Sequence, residues 1–457
     1  MHDMLIHHPE PSPHLQLTIE KLIYGGDGLT RLPADASGKG KAAFLPFVLT
    51  GEEVEATLTE QHPGFARGRL SQVIHPSAER VPAPCPHFGT CGGCHYQHAT
   101  YVEQLRIKTE ILRENVRRLA KMELPAEIQV HPSQPWNYRN RTRLALRQSL
   151  DGVADASGFK LGYRRMAAEE ILPVEECPIV SPLLQKAITA LWKLGRAGEI
   201  PPALQEVELF ANAEDAKLLV SFYGPARSAG SDAALGSLAA HLQVELPEME
   251  TAVVFGERRY KGQAAEGEKP RILLGSGSLT YKVHGRTYEV SAGAFFQSNR
   301  FLIPTLVEIV TQGRKGAAAL DLYAGAGLFS LPLAAQFERV VAVESSPASF
   351  GDLRRNLPPH AKAVRSTAEA YLQEAGKKFR PELIVVDPPR TGLGTKAARR
   401  LAECHAPHIT YVSCDPATLA RDLAILSDEG YRVEQAHLVD LFPQTYHLET
   451  VLQLAIQ

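Results

Sequence analysis

Four apolar runs in the carboxy-terminal part of the chain constrain its fold most. The runs AALDLY, RVVAVES, ELIVVD and HITYVSC are separated by segments long enough for a helix. Strands that alternate with helices in this way are typical of a doubly wound parallel sheet, whose ligand sites lie at the carboxyl ends of the strands. We therefore predict a Rossmann-like α/β domain over residues 286–457 and look for functional groups where its strands end.

Shorter strand-like runs lie upstream of this domain. Alternating runs such as LQLTIEKL and EEVEATLTE, split by glycine and proline, predict a small antiparallel OB-like β-barrel of about five strands over residues 1–76. Residues 77–285 combine a cysteine-rich loop with mixed strands and helices, which predicts a central α+β domain. A chain of 457 residues is long enough for this multidomain α/β architecture.

A helix is predicted directly after the cysteine-rich loop, from Tyr101 to Lys121. The spacing predicts that its apolar residues share one buried face. These residues are Leu105, Leu112, Val116 and Leu119.

Composition bears on location and partners. The amino terminus lacks a basic segment followed by an apolar one, and no apolar run reaches the roughly 18 residues of a membrane span. We expect a cytoplasmic protein with reduced thiols and no membrane partner. The net charge of -2 gives no global sign of nucleic-acid binding, which requires a local basic face rather than a basic total.

The first strand of the predicted sheet runs into the sequence DLYAGAGLFSLPLA. Gly325 and Gly327 permit a tight turn and a close approach of the backbone to a ligand. Glu344 ends the next strand, where a carboxylate can accept hydrogen bonds from ribose hydroxyls. These features predict a nucleotide site; a dinucleotide fingerprint is the rival, although Ser330 fits its third glycine only loosely.

The next two strands end in reactive groups. Asp387 is followed by two prolines, which either form a rigid floor for a planar base or simply kink a loop. Cys414 ends the following strand, where it is a buried structural thiol or a nucleophile that adds to carbon 6 of uracil and so activates carbon 5. Glu449 could then remove the carbon 5 proton. We expect Glu449 and His447 to point to the same face of a strand.

Five motifs in a fixed order resemble the RNA uracil-C5 methyltransferases, which use S-adenosylmethionine (SAM) to make 5-methyluridine in 23S ribosomal RNA and transfer RNA. They are FFQSN, DLYAGAGLFSLPLA, VDPPRTGL, YVSCDPATLARDL and DLFPQTYHLETV. The resemblance implies Cys414 as nucleophile, Glu449 as base, and four SAM contacts: Gln297, Tyr323, Glu344 and Asp387. Two positions depart from the family pattern. Leu328 replaces a residue that is often polar, and Asp415 replaces the common asparagine, so that its carboxylate would raise the pKa of the adjacent thiol unless it is paired.

Four cysteines form a candidate metal site. Cys85, Cys91 and Cys94 have the spacing C-x5-C-x2-C, and Cys177 follows later. Four thiolates can hold zinc or a [4Fe–4S] cluster, and spacing alone does not choose between them. A mixed zinc site that uses nearby histidines is also open; these are His87, His95 and His98. The 23S members of the resembled family carry an iron–sulfur cluster on this pattern, so the resemblance favours [4Fe–4S] and 23S ribosomal RNA.

A local excess of positive charge suggests RNA contact. Residues 101–165 hold thirteen Lys and Arg against seven Asp and Glu, a balance of +6. One strand face is predicted to be basic, either as ordinary solvated charge or as a phosphate-contacting face with Trp136 and Tyr138 available for stacking. Its arginines are Arg139, Arg141, Arg143 and Arg147. The amino-terminal barrel also resembles a TRAM domain, an OB-like RNA-binding module, through GGDGLTRL and FVLTGEEVEATL.

Together these features predict a monomeric SAM-dependent enzyme that methylates carbon 5 of a uridine in structured RNA, with 23S ribosomal RNA favoured. The alternatives are a transfer RNA uracil-C5 methyltransferase and a non-catalytic RNA-binding or assembly factor that keeps the fold. An NAD-dependent oxidoreductase is a further rival, but it would not explain the Asp-Pro-Pro turn or the pairing of a cysteine with a carboxylate.

Overall fold

The computed structural model describes residues 14–34, 40–148, 158–224, 232–256, 269–375 and 378–457. The chain forms two compact units. The first comprises Met1–Gly89, Gly93–Ile111 and Gln444–His447, and the second comprises Thr90–Gly92, Leu112–Pro443 and Leu448–Gln457. Residues 1–13, on which the prediction about a signal sequence rests, lie outside the described residues.

The first unit contains a six-stranded sheet in the order β1-β5-β6-β4-β3-β2. Its strands are β1 His14–Thr18, β2 Lys21–Leu22, β3 Gly28–Arg31, β4 Ala42–Leu45, β5 Glu53–Gln61 and β6 Phe65–His75. The two edge strands, β1 and β2, are consecutive in the chain and only Ile19 and Glu20 separate them. The pairs are antiparallel as predicted, except that β4 and β6 run parallel.

The helix predicted from Tyr101 to Lys121 is present with one change. The α-helix α1 spans Tyr101–Asn115 and continues as a π-helical turn, Val116–Ala120. Val116 is buried as predicted, whereas Leu119 is 51% exposed, so its place on the buried face was wrong. A π-helical turn closes i→i+5 hydrogen bonds and rotates the chain less per residue, which carries Leu119 off the face that an α-helix would have given it.

The second unit contains the remaining strands and helices. Its strands are β7 Gln129–His131, β8 Arg141–Gln148, β9 Phe159–Arg164, β10 Ile171–Pro173, β11 Glu206–Ala211, β12 Leu218–Tyr223, β13 Met249–Phe255, β14 Arg271–Leu274, β15 Ser278–Val283, β16 Arg286–Ser291, β17 Gly316–Leu322, β18 Phe337–Glu344, β19 Lys362–Arg365, β20 Leu383–Val386, β21 His408–Ser413, β22 Tyr431–Val439 and β23 Thr450–Ile456. Its helices are α2 Pro182–Arg196, α3 Asp232–Glu245, α4 Ile303–Thr311, α5 Ser330–Ala334, α6 Pro347–Asn356, α7 Ala368–Ala375, α8 Thr395–Ala402 and α9 Pro416–Asp428.

A seven-stranded sheet occupies the middle of the chain, in the order β10-β9-β8-β11-β12-β13-β14. Its arginine-rich strand β8 corrects one prediction. Arg141 pairs with Glu208 of β11 at 2.6 Å, and Arg143 pairs with Glu208 and Glu206 of β11 at 3.2 and 3.4 Å, so two carboxylates balance the two charges across the strand pair. Tyr138 is fully buried and donates a hydrogen bond to the carbonyl of Pro443, so it offers no surface for base stacking.

The carboxy-terminal sheet has eight strands in the order β19-β18-β17-β20-β21-β23-β22-β7. Strands β17, β18, β20 and β21 are the four predicted runs, and their parallel pairing confirms the predicted sheet. Strand β23 joins β21 antiparallel. The boundary predicted at residues 285 and 286 falls in the turn between β15 and β16, which pair as a hairpin, and the domain boundaries stay predictions.

None of the helices within the described ranges is long and apolar enough to span a membrane.

Candidate active site

The predicted site residues meet at one edge of the eight-stranded sheet. In the parallel pairs, Leu322 lies beside Val386, and Val386 lies beside Tyr411. The residues that follow these strands therefore emerge at the same edge, where parallel sheets place ligands. Tyr323 follows β17, Asp387 follows β20, and Cys414 follows β21.

Cys414 and Glu449 are brought together by the pairing of β21 with β23. The last residue pair of this antiparallel ladder is Ser413 with Thr450. The next residues along the two segments are Cys414 and Glu449, and Glu449 is near enough for its charge to raise the pKa of Cys414. Because β23 begins only at Thr450, the prediction that Glu449 and His447 share a strand face was wrong. The conformation before a strand does not impose the alternation of side chains that a strand imposes.

The surroundings of Cys414 strongly favour its neutral thiol. Burial, followed by the nearby charges of Glu449 and Asp387, raises the pKa of Cys414 to about 12. Burial and the charge of Asp387 also raise the pKa of Glu449 well above its ordinary value, and burial raises that of Asp387 to about 7. The guanidinium of Arg390 opposes these effects and lowers the pKa of both Cys414 and Glu449. Three acids and one cation thus surround the point where a substrate base would react.

Asp415, which departs from the family pattern, caps helix α9. One carboxylate oxygen accepts hydrogen bonds from the backbone N–H groups of Ala417 and Thr418, at 3.0 and 2.9 Å. The free N–H groups of a helix amino terminus stabilise such a negative charge. Asp415 is accordingly the smallest of the influences that raise the pKa of Cys414. Its carboxylate is therefore paired. We expected this carboxylate to raise the pKa of the adjacent thiol only if it were unpaired.

The glycine-rich turn after β17 has the backbone of a nucleotide site. Tyr323, Gly325 and Gly327 have positive φ angles of 63°, 56° and 93°. No atom lies within 4 Å of the place where a Cβ of Gly325 would stand, so a ligand can approach the backbone there. Glu344 accepts hydrogen bonds from the N–H groups of Gly325 and Ser346, at 2.9 and 2.6 Å. Each carboxylate oxygen retains a lone pair, and both could accept from ribose hydroxyls.

The FFQSN segment is fixed by its asparagine. Asn299 is fully buried, and its side chain donates to the hydroxyl of Ser133 and the carbonyl of Leu441, at 3.0 and 3.1 Å. Gln297, two residues earlier, is buried as well. The segment is thus held in place by its neighbours, and the contact of Gln297 with SAM stays a prediction.

Comparison with known proteins identifies the family. The family described as tRNA (Uracil-5-)-methyltransferase matches residues 265–456. A protein of Pseudomonas fluorescens, 23S rRNA (uracil(1939)-C(5))-methyltransferase RlmD, is 32% identical, with 95% of this chain and 90% of that protein covered. This chain belongs to the RNA uracil-5-methyltransferase family. It is an enzyme, a SAM-dependent RNA (uracil-C5)-methyltransferase, as the sequence predicted.

Further relatives of this methyltransferase agree in fold and length. An uncharacterized RNA methyltransferase of Aquifex aeolicus is 31% identical, with 97% of this chain and 99% of that protein covered. The solved structure of Pyrococcus abyssi tRNA (uracil-54, C5)-methyltransferase in complex with S-adenosyl-L-homocysteine superposes with a TM-score of 0.71. It covers 96% of this chain and 100% of that chain at 23% identity, a likeness that supports the fold.

The methyltransferase site contains residues that the sequence did not single out. Asp321 is fully buried and accepts a hydrogen bond from the hydroxyl of Ser330. Burial, together with the charges of Asp387 and Glu344, raises the pKa of Asp321 to about 7, and its second oxygen has no hydrogen-bond partner among the described residues. This acidic edge suits a cationic ligand such as SAM. The only signal in the sequence was the position of Asp321 in the strand that ends at the glycine turn.

The four candidate metal ligands of the methyltransferase are all half-buried, and none is in a disulfide. They are Cys85, Cys91, Cys94 and Cys177. In the part of the chain that the structure describes, no three His, Cys, Asp or Glu side chains are arranged to hold a metal ion. The cysteine cluster therefore stays a prediction. Cys404 is buried and donates to the carbonyl of Arg400.

Proposed function

We propose that this methyltransferase adds a methyl group to carbon 5 of a uridine in 23S ribosomal RNA, with Cys414 as nucleophile and Glu449 as base. The observation that carries the proposal is the proximity of Cys414 and Glu449, which directly adjoin the last residue pair of the β21–β23 ladder and interact electrostatically. A thiol and a carboxylate that lie close together suit a reaction that adds a nucleophile and later removes a proton.

The proposed reaction proceeds in steps that use Cys414 and Glu449. The Cys414 thiolate adds to carbon 6 of the uracil, and the electron pair moves to carbon 5 and the carbonyl oxygen of carbon 4. SAM supplies the electrophilic methyl group that carbon 5 attacks. Glu449 then removes the proton from carbon 5, the bond between sulfur and carbon 6 breaks, and the thiolate is regenerated. Arg390 lowers the pKa of both groups and so favours their charged, reactive forms.

An RNA that contains 5-fluorouridine tests this mechanism, because fluorine at carbon 5 prevents the proton removal that releases the enzyme. We expect wild-type enzyme with SAM to form a covalent protein–RNA adduct, visible by denaturing electrophoresis, and Cys414→Ala to form none. Cys404→Ala is the matched control and should still form it, since that thiol is buried on α8's carboxyl side. With unmodified RNA, Glu449→Gln should accumulate a methylated adduct. Absence of an adduct with wild-type enzyme would contradict the proposal.

The choice of 23S over transfer RNA rests on relatives. The 32%-identical relative is named as a 23S enzyme, whereas the Pyrococcus abyssi structure at 23% identity is a transfer RNA enzyme. Mass mapping of 5-methyluridine in RNA from cells that lack this protein decides between them. Loss of a 5-methyluridine from 23S ribosomal RNA would support the proposal. Loss of a 5-methyluridine from transfer RNA would instead identify transfer RNA as the substrate.

We further propose that Cys85, Cys91, Cys94 and Cys177 hold a [4Fe–4S] cluster, with zinc as the alternative. Four thiols outside disulfides fit the donor set of either group in number and chemistry. Anaerobically purified protein should carry four irons and show the broad absorption near roughly 400 nm of a cluster. Cys91→Ser should lose both, and Cys404→Ser should keep both. Bound zinc without iron would favour the alternative.

The amino-terminal sheet supports the proposal of a TRAM-like, OB-type barrel that binds RNA. Its edge strands are consecutive in the chain, and the N–H groups of Ile19 and Glu20 between them bond to Glu52 and Leu29, at 2.9 Å each. This connectivity suits a closed barrel. That the enzyme acts as a monomer in the cytoplasm stays a prediction.

A further inference from the structure

A buried carboxylate behind the active site ties three of its elements together. Asp422 of α9 is fully buried. One of its oxygens accepts hydrogen bonds from the N–H of Leu393 and from the hydroxyl of Tyr411, each at 2.7 Å. The other pairs with the guanidinium of Arg421 at 2.9 Å.

Each partner of Asp422 belongs to an element that bears a reactive group. Tyr411 lies on β21, three residues before Cys414. Leu393 lies at the end of the segment 387–393, which begins with Asp387 and contains Arg390. Asp422 itself lies on α9, the helix that follows Cys414.

Two neighbours of Asp422 hold the middle of the same segment. The hydroxyl of Thr418 donates to the carbonyl of Arg390 at 3.0 Å. The guanidinium of Arg421 donates to the carbonyl of Thr391 at 2.8 Å. One face of α9 therefore binds three successive parts of the segment, at Arg390, Thr391 and Leu393.

Gly392 is shaped to admit this contact. It has a φ of 70°, and a Cβ at this position would stand 2.5 Å from the carboxylate of Asp422 and 2.6 Å from the guanidinium of Arg421. Gly394 has a similar φ of 77°, but no atom lies within 4 Å of its Cβ position. Both positions favour glycine for the backbone, and only Gly392 also requires it for the approach of α9.

A buried charge is a costly way to join a helix to a strand, because apolar side chains of similar volume do so without desolvating an ion. A carboxylate whose two oxygens both have partners also fixes the positions of those partners, because each hydrogen bond holds its partner to within a few tenths of an ångström. The reaction requires the thiol, Asp387 and Arg390 to keep a fixed geometry, and misplacement by about 1 Å can cost about 100-fold in rate.

We propose that Asp422 is a positioning residue for the methylation reaction. It holds the segment that bears Asp387 and Arg390 at a fixed position relative to Cys414. The proposal rests on the proposed function, because it assigns Asp422 a role in that reaction. Asp422 acts through Tyr411, Leu393 and Arg421 and touches no reacting atom.

Single-turnover methylation at saturating RNA and SAM tests the proposal in the full-length enzyme. We expect Asp422→Ala to lower the rate constant about 100-fold. Asp422→Asn, whose amide oxygen can still accept hydrogen bonds from Leu393 and Tyr411, should have a rate constant about tenfold higher than that of Asp422→Ala. The KM for SAM should rise by less than the rate constant falls, because Asp387 is only one of the four predicted SAM contacts and the glycine turn and Glu344 are unchanged. A purely structural role would instead lower thermal stability and SAM binding together, without this separation of kcat from KM.

Gly392→Ala and Gly394→Ala keep the proposal testable if the Asp422 variants fail to fold. Both alanines carry the cost of a positive φ, and that cost is larger at Gly394, whose ψ of 159° falls in a region essentially restricted to glycine. Only Gly392→Ala displaces the segment from Asp422, so we expect it to lose about 100-fold in rate and Gly394→Ala to lose less than about tenfold despite its greater backbone strain. Equal rates for the two variants, or a folded Asp422→Ala with a rate within about threefold of wild type, would overturn the proposal. If wild-type enzyme itself methylates no uridine, the proposed function fails instead.

Discussion

At the scale of single residues, the thiol of Cys414, which we propose as the nucleophile, is buried beside two carboxyl groups. Burial, Glu449 and Asp387 raise the pKa of Cys414 to about 12, so only about one thiol in 10⁴ is ionised at pH 8. In the free enzyme, alkylation of Cys414 by iodoacetamide should therefore be slow and should rise about tenfold per pH unit between pH 7 and 10. Mass spectrometry of the Cys414 peptide measures this rate. A rate that levels off near pH 8 would contradict the raised pKa.

Two substitutions separate the charges that act on Cys414. Glu449→Gln removes the larger like charge, so it should lower the pKa of Cys414 and speed alkylation at any pH where Glu449 is ionised. Asp415→Asn should change the alkylation rate less, because Asp415 is the smallest of these influences and its carboxylate is bonded to the start of α9. The family's common asparagine would then be an equivalent helix cap rather than a condition for activity. A larger effect of Asp415→Asn than of Glu449→Gln on the alkylation rate would contradict this prediction.

At the scale of elements, the glycine turn is held from outside by side chains of its neighbours. The amide of Asn356, at the end of α6, donates to the carbonyls of Ala326 and Glu289 at 2.8 and 3.0 Å and accepts from the N–H of Glu289. The hydroxyl of Tyr288 donates to the carbonyl of Leu328 at 3.1 Å. Helix α6 and strand β16 thus fix the conformation that a nucleotide would meet.

Removal of the Asn356 amide should weaken SAM binding. We expect Asn356→Ala to raise the Kd for SAM about tenfold, a loss of about 1.4 kcal/mol, which is comparable to one or two neutral hydrogen bonds. Isothermal titration calorimetry measures the Kd. Asn212→Ala is the matched control, since it also removes an asparagine that bonds backbone groups, here the N–H groups of Ala216 and Lys217 in the β11–β12 turn of the other sheet. Similar losses in both variants would indicate a general effect on folding.

Particular residues show how far the sequence determines these elements. The positions of Asp387 and Cys414 were predictable, because apolar runs mark parallel strands and parallel strands end at a common edge. The exposure of Leu119 was not, since a π-helical turn has no clear local signal. The neutralised face of Arg141 and Arg143 depends on Glu208, which lies more than sixty residues away and meets them only through strand pairing. The same holds for Asp422, whose partners in other elements become visible only in the fold.

At the scale of the whole molecule, methylation of a folded RNA requires binding surface beyond the catalytic pocket. In the first half of strand β6 of the amino-terminal sheet, buried Ala66 and Gly68 alternate with the exposed residues Arg67 and Arg69. Arg67 also pairs with Asp27 at 3.2 Å. Phe65 lies on the same face, with the guanidinium of Arg67 5.9 Å from its ring centroid. Cations beside an aromatic ring on an OB-like sheet are suited to phosphates and unstacked bases.

The double substitution Arg67→Ala and Arg69→Ala should weaken RNA binding without affecting SAM binding. Each lost phosphate contact removes counterion release, so the slope of log affinity against log salt should become shallower by about 1.5 to 2. Fluorescence anisotropy of a labelled 23S fragment at several salt concentrations measures this slope. Lys186→Ala with Lys193→Ala removes the same charge from α2, whose two lysines pair with glutamates as Arg67 pairs with Asp27, and should leave the slope unchanged because α2 lies outside the amino-terminal sheet. An equal change in both double variants would mean that net charge, rather than the face of β6, attracts the RNA.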